Sequence, residues 1–247
     1  MATMSPRLSI NRHNTPSKSD KILVAFVLLC LCTAQDVFAQ ISGTATVVSD
    51  YRYRGVSLSE GNPEGQLSLG YDSPAGWYAG GLISGVKFDN TSTEQFIGYA
   101  GYAGQVFSGL SWDAGMSSTS FRKNSDYNYN EAYVGLTTDN YSTRLYYSPS
   151  YFYQNARTVY GEINAARPFL EDMQLLFHLG LLHQLTNSDT QFDTFSSRYD
   201  YRIGLNTRIG VWNFQLALVG LQRKTHAYAQ YEDLHPHSWL LSAAYSF

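Results

Sequence analysis

The chain has 247 residues, 15% of them charged and 15% aromatic, with a formal net charge of −3. That balance leaves no basic footprint for nucleic acid. Two cysteines in a chain of this length exclude a disulfide scaffold.

The first element is a leader. Lys18 and Lys21 precede an apolar run over 22–31, and Val37 and Ala39 put small residues at the two positions a signal peptidase reads. This pattern predicts a secretory signal peptide over 1–39, cleaved after Ala39. The apolar run is shorter than the roughly 20 residues that span a bilayer. Both cysteines, Cys30 and Cys32, leave with it, and bulky Leu29 and Leu31 argue against lipid attachment there. The leader also removes four basic residues (Arg7, Arg12, Lys18, Lys21) and two acidic ones (Asp20, Asp36). The mature chain over 40–247 then carries thirteen basic and eighteen acidic residues, a net charge of −5.

All 20 tyrosines lie in this mature part, and tyrosine and tryptophan favour a membrane–water interface because one end is apolar and the other wet. Period-two alternation runs through it and predicts twelve strands. The first covers 43–54. Asp50, Arg52 and Arg54 share a parity there, so they stack along one face, either as a charged ladder or as an ion-pair cluster that pins the next loop.

The same stretch carries a resemblance. Val48-Ser49-Asp50-Tyr51-Arg52-Tyr53-Arg54-Gly55-Val56-Ser57, then Glu60-Gly61-Asn62-Pro63 and the later Gly76-Trp77-Tyr78-Ala79-Gly80, resembles the opening of the TorF-type porin family, also labelled Gcw_chp. The likeness is specific over about 45–85. Beyond that it rests on length and barrel rhythm. Leu58 departs from the family pattern, which has a polar residue there, usually Gln. The resemblance implies a proteobacterial outer-membrane protein with a porin-like role.

The following strands are expected over 65–72, 76–87, 93–102, 109–120, 128–138, 141–148, 157–166, 172–185, 199–209, 212–224 and 237–247. Glycine blurs the faces of 76–87 and 93–102. Elsewhere the two faces separate well. Leu175, Phe177, Leu179 and Leu181 oppose Gln174, His178, Gly180 and Gln184, and Tyr199, Tyr201, Ile203 and Leu205 oppose Asp200, Arg202, Asn206 and Arg208. The last strand points Trp239, Leu241, Ala243, Tyr245 and Phe247 one way, with Leu240 the one exception on the other face. Its terminal Phe247, with Tyr245 and Trp239, matches the type of signal that barrel assembly machinery reads. Short links alternate with long polar ones, apart from a modest link near 103–108, which is the asymmetry of an outer-membrane barrel.

The expected fold is therefore all-β, an up-and-down transmembrane antiparallel barrel of about twelve strands. In hydrocarbon an unpaired backbone group costs several kcal/mol, so such a sheet must close. A soluble lipocalin or sandwich shares the alternation, but its outside would carry far more Lys and Glu. With the apolar face toward lipid, the other parity lines a lumen holding Asp50, Arg52, Arg54, Asp113, Glu131, Arg144, Glu162, His178, Asp200, Arg202, Arg208 and Arg223. The favoured reading is a wet pore for small polar solutes. The alternatives are a lumen plugged by ion pairs and an outer-membrane hydrolase with His178 as base. A metal site at His235 and His237 with Glu232 and Asp233 is a weaker idea, and neither metal nor cofactor is expected. Partners are outer-membrane lipid, the assembly machinery and small solutes.

Overall fold

The computed structural model describes residues 40–88, 91–152, 156–186, 195–225 and 237–247. Among these described residues fourteen strands run in chain order: β1 (Gln40–Val48), β2 (Arg52–Tyr53), β3 (Val56–Ser57), β4 (Glu64–Asp72), β5 (Trp77–Phe88), β6 (Thr91–Phe107), β7 (Leu110–Phe121), β8 (Tyr129–Thr137), β9 (Tyr141–Tyr151), β10 (Ala156–Leu170), β11 (Met173–Gln184), β12 (Phe195–Ile209), β13 (Trp212–Thr225) and β14 (His237–Ser246). Twelve of them, β1 and β4 to β14, form a closed antiparallel barrel in sequential order, sealed where β1 meets β14. At the seam Gly43 and Phe247 exchange both backbone hydrogen bonds, at 2.9 and 3.0 Å, so the wall has no open edge there.

The barrel is inside out relative to a soluble protein. In β8, Tyr129, Glu131, Tyr133 and Gly135 are buried, while Asn130, Ala132, Val134 and Leu136 are exposed. Along β11, Phe177, Leu179 and Leu181 are exposed, and Leu179 reaches 65%. A continuous outer face of such residues is stable only against hydrocarbon, so the sheet is a transmembrane barrel.

One end carries tight turns at 73–76, 108–109, 138–140, 171–172 and 210–211, together with the start of β1 and the end of β14. Outward aromatics ring this end. Trp77 packs edge-on to Tyr102 at 5.1 Å, and Trp212 lies 5.2 Å from Tyr245. The opposite end carries most of the long connections. β6 runs on to Phe107, so the modest link expected near 103–108 is a two-residue turn in which Gly109 has φ 85.

The first expected strand is corrected. The wall strand β1 stops at Val48, and the chain then turns into the barrel. Asp50, Arg52 and Arg54 therefore do not stack along a wall strand. The alternating side chains after Val48 belong instead to β2, half of a small hairpin with β3 in which Arg52 pairs with Ser57 and Tyr53 with Val56. Its two central residues, Arg54 (φ 49) and Gly55 (φ 78), are both left-handed, as a two-residue type I′ turn requires. The Asp50 carboxylate organises the bend, accepting from Arg52 Nε at 2.6 Å, Ser57 Oγ at 2.5 Å and Ser59 Oγ at 3.1 Å.

Tyr51 and Leu58 from this segment pack against Val48, Val86, Phe121, Ala217, Val219 and Leu240. Leu240, out of phase in the sequence, faces inward because it is part of this seal. The leader, its cleavage point, and Glu232, Asp233 and His235 lie outside the described residues.

Candidate functional site: the barrel lumen

Each lumen side chain is set by register. Glu131 of β8 lies two positions from Tyr133, which pairs with Tyr146 of β9, and Tyr146 pairs with Tyr160 of β10. These three neighbouring strands therefore present a carboxylate and a group of tyrosines at one height. Into them the hairpin tip inserts Arg54. Its Nη1 and Nη2 each donate to a Glu131 carboxylate oxygen at 2.8 Å. The guanidinium carbon lies 4.1 Å from the Tyr160 ring centre, 4.9 Å from Tyr146, 5.1 Å from Tyr53 and 5.5 Å from Tyr151.

The pair is sealed, with side chains 5% and 2% exposed. Burial works against the Arg54 charge, but the Glu131 carboxylate beside it holds the guanidinium ionised. Burial also pushes the Tyr51 and Tyr53 phenols well above their ordinary range. They stay neutral, and Tyr51 donates to Gln95 Oε1 at 2.7 Å.

Toward the short-turn end lies a cavity of about 580 Å³, lined by Tyr53, Tyr78, Tyr99, Tyr133, Arg144 and Tyr146 among others. Arg144 Nη2 donates to Asp113 Oδ2 at 2.8 Å, and the Tyr78 hydroxyl lies 2.9 Å from the same oxygen. A smaller cavity of about 200 Å³ sits beside the hairpin, with Arg52, Glu162, His178, Asp200 and Arg202 in its wall. There His178 bridges Asn164 Oδ1 at 2.7 Å and Asp200 Oδ1 at 2.8 Å, and the Tyr160 hydroxyl lies 3.3 Å from its Nε2.

The expected lumen residues thus resolve into three ion pairs, Arg52 with Asp50, Arg54 with Glu131 and Arg144 with Asp113, and a hydrogen bond between His178 and Asp200. Glu162 and Arg202 line the small cavity. Arg208 lies apart from them, donating to the Gly210 carbonyl at the short-turn end. The Arg223 side chain lies outside the described residues. In the hydrolase alternative His178 needs a nucleophile; among the described residues its hydrogen-bond partners are Asn164, Asp200 and Tyr160. His237 contacts Tyr201 at 2.9 Å.

Trp239, Tyr245 and Phe247 all face outward and are exposed. The tyrosines are where sequence reasoning fell short. Tyr71, Tyr102, Tyr141 and Tyr199 are exposed outside, as an interfacial residue should be. Tyr129, Tyr133, Tyr146, Tyr151 and Tyr160 instead point inward. Their parity was the available signal, because Tyr129 and Tyr133 flank Glu131 at spacing two, as Tyr146 follows Arg144 and Tyr160 precedes Glu162.

Residues 34–247 match a family model described as "Bacterial protein of unknown function (Gcw_chp)". No curated protein sequence matches the chain. Among solved structures, the KdgM porin aligns with a TM-score of 0.51 at 16% identity, covering 84% of this chain and 98% of that one. The NanC porin aligns with a TM-score of 0.55 at 12% identity, covering 83% and 99%. At these identities the likeness is one of fold, and it agrees with the closed transmembrane barrel described above.

Proposed function

The chain belongs to the Gcw_chp family of bacterial proteins, and from its architecture we propose that it is an outer-membrane channel for passive diffusion of small hydrophilic solutes. The supporting observation is a lumen that holds polar and charged groups inside an apolar shell, with cavities of about 580 and 200 Å³ along it. Solutes would enter at the long-loop end, pass the hairpin β2–β3, and leave past Tyr78, Tyr99 and Arg144. In this reading the hairpin is the constriction, and its charges are already paired, Arg52 with Asp50 and Arg54 with Glu131 of the wall. Sieving by width would then outweigh selection by charge.

The rest of the reading follows the topology. The leader over 1–39 would be removed near Ala39. The short-turn end would face the periplasm, as the short turns of an outer-membrane barrel do. The outward Trp239 and Tyr245 on β14, with Phe247 just after it, would be read by the assembly machinery. A plugged barrel is the second reading, favoured by the apolar seal that Tyr51 and Leu58 make with the wall.

Planar-bilayer recording decides between them. The refolded barrel should give discrete conductance steps, small for its strand number. A protein that is folded by its heat-dependent gel migration yet silent at every voltage would discard the channel and leave the plug.

A further inference from the structure

The pocket that receives Arg54 has the composition of a receptor for cations rather than of a simple tether. Glu131, Tyr146, Tyr151 and Tyr160 come from three adjacent wall strands, β8, β9 and β10, and would keep their relative positions without the hairpin. A carboxylate offers two parallel acceptors to a planar guanidinium, and aromatic faces attract its charge. The occupant arrives from a separate element, on a two-residue turn whose Arg54 is held left-handed. Both lumen cavities reach this pocket, since Tyr146 lines each of them and Tyr160 lines the smaller. A solute in the lumen therefore meets the pocket wall without crossing the barrel.

We propose that the pocket formed by Glu131, Tyr146, Tyr151 and Tyr160 is a binding site for the guanidinium groups of solutes, and that Arg54 is its tethered resident. The tether gives Arg54 a high effective concentration, so a free guanidinium binds weakly while the hairpin is seated. Displacing Arg54 releases the tip of the hairpin from the wall. An ammonium group, which cannot form the paired contact with Glu131, binds less well.

The test uses the full barrel, with methylguanidinium as probe and thermal unfolding as readout, so it does not depend on conduction. In Arg54→Ala the pocket is vacated, and millimolar methylguanidinium should raise the unfolding temperature, with affinity at least about tenfold weaker when Glu131→Gln is added. Methylammonium should give a smaller shift, and the wild type almost none. Should Arg54→Ala fold poorly, the yield of folded barrel is read with and without methylguanidinium, and a rise with the probe supports the site. No effect on Arg54→Ala, or an equal effect on Arg54→Ala/Glu131→Gln, overturns the proposal, whether or not the barrel conducts.

Discussion

Arg54 holds a left-handed backbone conformation that a residue with a Cβ adopts at a cost on the order of 1–2 kcal/mol. Its neighbour Gly55 is left-handed too, and a side chain there would also strike Asp200 and Leu221. The turn persists because Arg54 and Glu131 are buried together, each satisfying the other. Removing one partner strands a charge in a sealed pocket. Glu131→Ala should therefore lower stability by about 3–5 kcal/mol, read from urea unfolding in detergent micelles. The double change Arg54→Met/Glu131→Met should cost far less than the sum of the single ones, since it removes both charges and keeps the volume. A loss below about 0.5 kcal/mol for Glu131→Ala, the range of an ordinary surface change, would mean the pair is not buried in solution.

At the scale of elements, the wall and the hairpin are separable. β1 pairs with β4 from Gln40–Asp72 to Val48–Glu64 without any residue of β2 or β3. Replacing Arg52–Ser57 by a short glycine link should thus leave a folded barrel with larger single-channel conductance. An unchanged conductance from that variant would show that the narrowest point lies elsewhere. This division also explains what could be read from the sequence. Wall strands declare themselves through alternation, because each residue of a two-faced sheet answers to lipid or to lumen. The hairpin keeps the same alternation over Asp50 to Arg54 while leaving the wall, so periodicity alone extends β1 too far. Leu240 gave a local hint, an apolar residue on the polar face. Its meaning depended on Tyr51 and Leu58, almost two hundred residues away in sequence. Glycine was the other obstacle. In β5 and β6, Gly80 and Gly101 give room to the inward rings of Tyr99 and Tyr78 across the strands, so the blurred faces there are a lumen packed with tyrosine over glycine.

For the whole molecule, the decisive quantity is which solvent the apolar face meets. The four tryptophans, Trp77, Trp112, Trp212 and Trp239, all point outward, with exposures of 63, 39, 46 and 66%. A soluble protein rarely displays that much contiguous apolar surface, whereas interfacial indole is favourable in a membrane. Three of them follow the short turns closely, at the start of β5 and β13 and near the start of β7, while Trp239 lies near the long-loop end of β14. In vesicles of brominated lipid, tryptophan fluorescence should be strongly quenched, most by bromines near the headgroups because the indoles sit toward the strand ends. Aqueous acrylamide should quench little. A barrel that instead stays monodisperse without detergent and shows acrylamide-accessible tryptophan would have its apolar residues facing water, and a membrane-spanning wall could not stand.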